Sequence, residues 1–232
     1  QPAYSVVGGL AHKGAWVLIG KAAPTILSVL SRGGKGAVRW FRNLLVRAPA
    51  EERELLARLW MKAETQGLQS LSAAEKQQVQ ALMRRLEQQL AVRLTDDAKR
   101  ELRRLSRQEY FALYHPKLVE VLGDKGLRVY QVHHLYPLEY AHLFPRLDIT
   151  GKANLAGLHR SVHHSVNAVW ASVREVSTRM RPQDVERVVE TIDRHFGRWF
   201  NKVYDAKDAA ALSHAEQAAL REVAALKATL SP

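Results

Sequence analysis

Apolar residues recur every three or four positions through much of the chain, which is the spacing of amphipathic helices. One stripe follows Glu51, and another follows Ser72, which with Glu75 has the pattern of a helix-capping box. A third begins at Thr95 and breaks at His115–Pro116. The apolar positions are Leu55, Leu56, Leu59, Trp60, Val79, Leu82, Met83, Leu86, Leu90, Leu102 and Leu105. We expect a mainly α protein in which these faces form the core.

Two further helices are predicted in the C-terminal part. Pro182 suits the first turn of one helix, because its missing N–H would have no partner there. Ser213 and Glu216 repeat the capping-box pattern ahead of the other. The apolar positions are Val185, Val188, Val189, Ile192, Phe196, Trp199, Leu220, Val223, Leu226 and Leu230.

The middle of the chain has a different pattern. Residues 127–134 alternate and are rich in β-branched and aromatic side chains, which predicts a short strand. A turn signal, Gly123 to Gly126, precedes them. Residues 155–158 can supply a second strand, and Ser161 can cap a helix that runs toward Met180.

Histidines are concentrated in this same region. The chain has ten histidines in 232 residues, and six of them lie between positions 133 and 164. They are His133, His134, His142, His159, His163 and His164. Imidazole binds divalent transition metals and also titrates near neutral pH, so the cluster favours metal chemistry or proton transfer.

The order of these residues resembles the HNH family of ββα-metal endonucleases. A His pair, His133–His134, ends the first predicted strand, and Asn154 opens the second. His163 follows Asn154 by nine residues and precedes Asn167 by four, so His163 and Asn167 share one helical face. The likeness covers about residues 127–175 and implies a helical protein that contains a small ββα-metal motif.

The resemblance implies a role for each residue. His133, His163 and Asn167 would bind one divalent metal ion (Mg, Mn, Ni or Zn), and His134 would be the general base. Asn154 would fasten the loop that holds the base. Many members of the family have a second histidine where this chain has Asn167, and an amide oxygen shifts the preference toward Mg or Mn.

Other interpretations of the histidines remain open at the level of sequence. His159 and His163 are also four residues apart and could form a helical zinc pair. His142 and His164 could contact phosphate or support the ligands, although a single helical histidine is more often a hydrogen-bonded surface or core residue. Structural zinc sites usually use four His or Cys ligands, and the chain has no cysteine.

Charge and composition divide the chain further. Its net charge of +12 suits a polyphosphate partner. Residues 1–48 hold seven Lys or Arg and no acid, and they form a basic, Gly-rich arm. This arm could contact a membrane or pack on the rest of the protein. It could also add affinity for nucleic acid through four basic residues near Trp40, which are Arg32, Lys35, Arg39 and Arg42. We predict a helical region over 49–122, an HNH-like nuclease core over 123–181 and C-terminal helices over 182–232.

These expectations point to one function and one alternative. The first is a metal-dependent endonuclease that hydrolyses phosphodiester bonds of DNA, or RNA, with little sequence specificity. The resemblance extends to nuclease modules of bacterial toxins, which implies delivery to a target bacterial cell and an immunity protein as partner. The alternative is a non-enzymatic membrane-active or structural protein with a metal-binding His cluster.

Overall fold

The computed structural model describes residues 22–31 and 34–230. They form two compact units, one drawn from Gln1–Leu102 and Phe144–Gly151 and the other from Arg103–Leu143 and Lys152–Pro232. Both are mainly helical, as predicted, and the described residues contain one two-stranded sheet. In that part of the chain no helix has the length and apolar character needed to cross a membrane.

The first unit is a helical bundle. It contains α1 (Pro24–Leu30), α2 (Gly34–Leu45), α3 (Ala50–Gln66), α4 (Ala73–Gln89) and the start of α5 (Asp96–Glu109). The amides of Thr25 and Ile26 in the first turn of α1 donate to the Glu87 carboxylate, at 2.9 and 3.1 Å, because free N–H groups at a helix start attract negative charge. The predicted stripes form its core, with Leu56, Leu82, Met83 and Leu86 fully buried.

The basic arm predicted over residues 1–48 packs into this unit wherever it is described. Ile26, Phe41 and Leu44 lie in the core. Trp40 is buried and donates its indole N–H to the Pro145 carbonyl at 3.1 Å, while Arg39 pairs with Asp148 at 2.7 Å. Residues 1–21 of this arm, and the side chains of Arg32 and Lys35, lie outside the described residues, so the membrane and nucleic-acid contacts expected of them stay predictions.

The second unit contains the rest of α5, then α6 (Pro116–Leu127), β1 (Tyr130–His134), β2 (Leu155–His159), α7 (Arg160–Ser172), α8 (Pro182–Phe196) and α9 (Ala209–Leu230). Helix α7 packs on both strands and on α8 and α9. Strands β1 and β2 are antiparallel, with His133 opposite Ala156 and His134 opposite Leu155. The order is strand, strand, helix, as predicted.

Several local predictions are confirmed. Ser72 and Glu75 form the capping box of α4. The Thr95 hydroxyl caps α5 by accepting from the Ala98 amide at 3.2 Å, the predicted break falls at His115 just before α6, and Pro182 opens α8. Each signal acts through backbone groups of the first turn, which have no partner inside the helix.

Four local predictions are wrong. Helix α7 begins at Arg160, and its N-cap is His159 in place of the predicted Ser161. The helix ends at Ser172 and does not extend to Met180. The first strand starts at Tyr130, not at residue 127. The predicted turn from Gly123 to Gly126 lies inside α6, which bends at Gly123 where φ is 60°. The second capping box, at Ser213, lies inside α9, whose first residue is Ala209, since the alanines before it extend the helix.

Candidate metal centre and nucleic-acid cleft

His133 lies at the centre of the candidate site. Strand β1 carries it toward α7, and the residue is only 7% exposed. Its ring lies 5.5 Å from the ring of His163, centroid to centroid, at 74°. Its Nε2 atom is buried and forms no hydrogen bond with any described residue. Burial, and then the neighbouring His163 and His134, lower the pKa of His133 to about 3, so the imidazole is neutral and retains a lone pair at pH 7.

His163 and Asn167 lie one turn apart on α7. The Asn167 amide nitrogen is 3.2 Å from His163 Nδ1, so the two side chains are in contact. Burial, and then His164, lower the pKa of His163, which also favours the neutral ligand form. The structure therefore places His133 beside His163 and His163 beside Asn167, and the second of these contacts is the one that the four-residue spacing predicts.

The next residue, His134, contacts a different element, helix α5. Its Nε2 atom is 2.8 Å from the hydroxyl of Ser106 on α5, and both residues are buried. Burial, and then the charge of Arg103, lower the pKa of His134 to about 3. The direction of this hydrogen bond depends on the tautomer of His134: when Nε2–H donates to the Ser106 hydroxyl, Nδ1 keeps the lone pair that can accept a proton.

Asn154 fastens the chain just after the His pair. It is 1% exposed, and its Oδ1 accepts from the Tyr136 amide at 2.8 Å while its Nδ2 donates to the Tyr136 carbonyl at 3.3 Å. The Leu135 amide also donates to the Asn154 carbonyl at 2.9 Å. These bonds fix the backbone that follows His134, which is the geometry expected of a clasp, and the effect of Asn154 on catalysis stays a prediction.

These side chains line a cleft of about 720 Å³ within the second unit. Its wall includes four arginines and one carboxylate, that of Glu139. The arginines are Arg103, Arg107, Arg128 and Arg174. Trp170, on α7, also lines the cleft, and its indole Nε1 is buried without a hydrogen-bond partner among the described residues. The cleft is positively charged and has buried polar atoms that could bind a ligand.

The remaining histidines of the cluster lie elsewhere. His159 ends β2, accepts from the Ser161 amide at 3.2 Å and stacks on Tyr204 with ring centroids 4.6 Å apart. His164 faces a separate surface depression beside α9, and His142 lies in a 3-10 turn, Leu138–Leu143. The rival zinc pair of His159 with His163, and a phosphate contact from His142 or His164, stay predictions.

Sequence reasoning missed two members of the site. Ser106 is one of many serines in helical sequence, and nothing in its local pattern indicates that it contacts His134. Trp170 has the periodicity of a core residue on α7, and its unpartnered N–H emerges only from the packing. The arginines of α5 are exposed, and two of them, Arg103 and Arg107, also line the cleft.

The donor atoms fit a divalent ion that keeps open positions. Across residues 22–31 and 34–230, no three His, Asp or Glu side chains are grouped to hold a metal. The set here instead comprises two imidazoles and one amide, whose oxygen is a ligand suited to Mg or Mn. The unpartnered Nε2 of His133 is the feature that a bound cation would explain, since buried polar atoms in proteins are normally satisfied.

Comparison of the chain with protein-family models, curated proteins and solved structures finds no match.

Proposed function

We propose that the protein is a metal-dependent endonuclease of the HNH type, which hydrolyses phosphodiester bonds of DNA. One observation carries the proposal. His133, buried with an unsatisfied Nε2, contacts His163, and His163 contacts Asn167, at the edge of an arginine-lined cleft. A structural histidine would be expected to have a hydrogen-bond partner at such burial.

His133, His163 and Asn167 would hold the divalent ion. When bound, that ion supplies Lewis-acid polarisation of a phosphate oxygen and stabilises charge on the leaving oxygen. The side chains around it are neutral at pH 7, because burial lowers the pKa values of both histidines. Neutral imidazoles can donate their lone pairs without first losing a proton.

His134 is the proposed general base. With the Ser106 hydroxyl accepting from Nε2–H, Nδ1 keeps the lone pair and removes a proton from water. The water oxygen then bonds to phosphorus, the bond to the sugar oxygen breaks, and that oxygen takes up a proton. The pKa of His134 is low in the free protein, and a phosphate anion beside it raises that pKa toward the range in which a base is effective.

The proposed substrate, nucleic acid, is inferred from the positive charge of the chain. The chain carries a net charge of +12, and no base-reading motif is evident in its sequence. Phosphate contacts then dominate binding, so affinity depends on salt and little on sequence. An antibacterial toxin whose host is protected by an immunity protein is the biological role that we propose from the HNH resemblance.

Plasmid nicking tests the activity. Purified protein is incubated with supercoiled plasmid in Mg, Mn, Ni or Zn, with and without EDTA, and the same is done with His134→Ala. We expect chelator-sensitive nicking that falls by about 10²-fold or more in the variant, the usual scale for a positioned base. His214→Ala is the matched control, because His214 is exposed on α9, and it should cut like the parent.

Each result of the nicking assay supports or contradicts a specific part of the proposal. Intact plasmid in all four metals contradicts the proposed activity, and leakage of dye from anionic vesicles under those conditions favours the membrane-active alternative. Full activity in His134→Ala moves the base to another residue. Equal loss in His134→Ala and His214→Ala shows that the assay reports stability rather than chemistry.

A further inference from the structure

The arginines of the cleft differ in the contacts that their guanidinium groups make with the rest of the protein. Arg107 donates to the Tyr130 carbonyl at 3.0 Å, and its guanidinium lies 5.1 Å from the centre of the Phe111 ring. It therefore supports β1. The guanidinium groups of Arg103, Arg128 and Arg174 form no hydrogen bond or ion pair with any residue in the described part of the chain. They are exposed and line the same cleft.

Arg103 has a defined relation to the proposed base. It lies on α5 three residues before Ser106, and residues three apart share one face of a helix. Since Ser106 contacts His134, that face of α5 points toward the base. The positive charge of Arg103 also contributes, after burial, to the lowered pKa of His134, which is consistent with their proximity.

Arg128 and Arg174 approach from other elements. Arg128 follows the end of α6, directly before β1, and Arg174 lies in the 3-10 turn that follows α7. The three uncommitted guanidinium groups thus reach the cleft from three separate segments. Glu139 is the only carboxylate among the lining residues, so their charge is not balanced locally. Guanidinium is the group that best matches phosphate oxygens in a bidentate contact.

We propose that Arg103, Arg128 and Arg174 bind separate phosphates of one polynucleotide strand, with Arg103 on the phosphate nearest His134. This inference rests on the proposed nuclease function and assigns its substrate contacts. The charges surround a concave cleft of about 720 Å³, which a linear polyanion can enter and the flat surface of a bilayer cannot. Arg103 is then a residue that touches substrate, and Arg107 is a positioning residue for β1.

Equilibrium binding tests these contacts without cleavage. A short fluorescein-labelled DNA duplex is titrated with the full chain in EDTA over a series of salt concentrations. The variants are Arg103→Gln, Arg128→Gln, Arg174→Gln and the triple change. Each lost phosphate contact should reduce the slope of log affinity against log salt by about 0.9, and the triple variant by about three times as much.

Arg221→Gln is the matched control. Arg221 is exposed on α9, lies outside the cleft, and loses the same charge when changed. It should leave the slope unchanged. A reduction equal to that of the cleft variants would show a general charge effect and overturn the proposal, as would an unaltered slope in the triple variant. Loss of binding to anionic lipid vesicles in the triple variant, with an unaltered DNA slope, would assign the arginines to a membrane and also overturn it.

The binding result is separable from the activity. If the parent protein binds the duplex through these arginines but cuts nothing in any metal, the phosphate contacts stand and the nuclease proposal fails. If plasmid is cut but the triple variant keeps its slope, the nuclease stands and this inference fails. Melting temperatures of the variants confirm folding, which we expect to be unchanged because the three side chains are exposed and their guanidinium groups form no hydrogen bond or ion pair with the described residues.

Discussion

At the scale of single residues, the candidate site includes two buried polar atoms that form no hydrogen bond with the described residues. His133 Nε2 and Trp170 Nε1 have no hydrogen-bond partner in the described part of the chain. A buried polar group without a partner costs about 1–3 kcal/mol. Such a cost is tolerated where the atom serves a ligand, and functional sites commonly reduce stability in this way.

The first prediction concerns the free-energy cost of burying His133 Nε2 without a hydrogen-bond partner. His133→Leu replaces an unsatisfied imidazole with an apolar side chain of similar size. We expect the metal-free variant to melt at the same temperature as the parent or above it, and to lose the rise in melting temperature that Mn gives the parent. Calorimetric melts with and without Mn measure both effects. A variant that is destabilised when metal-free and still responds to Mn would contradict the ligand role.

The second prediction concerns Ser106, which acts through His134. Ser106→Ala removes the contact with Nε2, so the imidazole is free to rotate and to change tautomer. We expect kcat to fall by about tenfold, equivalent to about 1.4 kcal/mol, with KM and metal affinity unchanged. A change confined to KM or to metal binding would show that Ser106 does not orient the base.

Sequence patterns predicted the residues of the proposed metal site but not the residues that contact and support them. Spacing alone placed His163 and Asn167 on one face of a helix, because a four-residue interval has a fixed geometry. The Ser106–His134 contact joins residues 28 apart in sequence, so no periodicity encodes it. The unpaired state of Arg103, Arg128 and Arg174 likewise depends on which side chains pack beside them.

At the scale of elements, β2 is held by a lock between distant segments. The Tyr110 hydroxyl donates to Asn201 Oδ1 at 2.7 Å, and the Gly157 amide donates to the same oxygen at 2.8 Å. The Asn201 amide in turn donates to the Gly157 carbonyl at 2.9 Å. Asn201 has a φ of 61°, a region that Asn enters more readily than most residues. Gly157 pairs with Val132 in β1, the residue before His133, so this lock holds the strand that carries the site.

The third prediction concerns this lock. A Cβ added at Gly157 would overlap the Tyr110 hydroxyl, so Gly157→Ala must displace β2 or the ring. We expect a loss of about 1–3 kcal/mol in the free energy of unfolding, the usual cost of overpacking, together with weaker metal binding. Urea unfolding and calorimetry measure the two quantities.

Gly36→Ala is the matched control for that change. Gly36 lies in α2, in the first unit, with only the tip of Arg39 within 4 Å of a new Cβ. Because alanine favours helix over glycine, this change should stabilise the protein by up to about 1 kcal/mol and leave metal binding unaltered. Equal effects of the two substitutions would show that the lock has no special role.

The elements themselves were predictable to different degrees. Helices with strong apolar periodicity or a cap, such as α4 and α8, were predicted with their starts, since both signals are local. The Ser161 cap failed because His159 already accepts from the Ser161 amide as the N-cap, so the helix starts two residues earlier. Gly123 was interpreted as part of a turn, whereas α6 absorbs its positive φ as a bend.

At the scale of the whole molecule, the site belongs to one unit. Every residue of the proposed metal centre and cleft lies in Arg103–Leu143 or Lys152–Pro232. The first unit has its own core, which includes Leu56, Leu82 and Leu86. The sequence could not define these units, because Phe144–Gly151 belongs to the first unit although it lies between the two strands of the second.

The fourth prediction follows from this division. Leu86 is fully buried in the first unit, and Leu86→Ala should lower the free energy of unfolding by about 2–5 kcal/mol. Because the ligands lie in the other unit, the metal dissociation constant of the folded variant should equal that of the parent. Isothermal calorimetry at a temperature where the variant is folded measures it. A large loss of affinity would show that the first unit shapes the metal centre.

The central claim is that His133, His163 and Asn167 bind one cation. Anomalous diffraction from crystals soaked in Mn tests it most directly. We expect a single strong peak at the rim of the cleft, roughly 2.0–2.3 Å from a nitrogen of each histidine and from the Asn167 oxygen, with His134 beside it and not bound. A peak at His159 or at His164, with none among these three residues, would contradict this assignment.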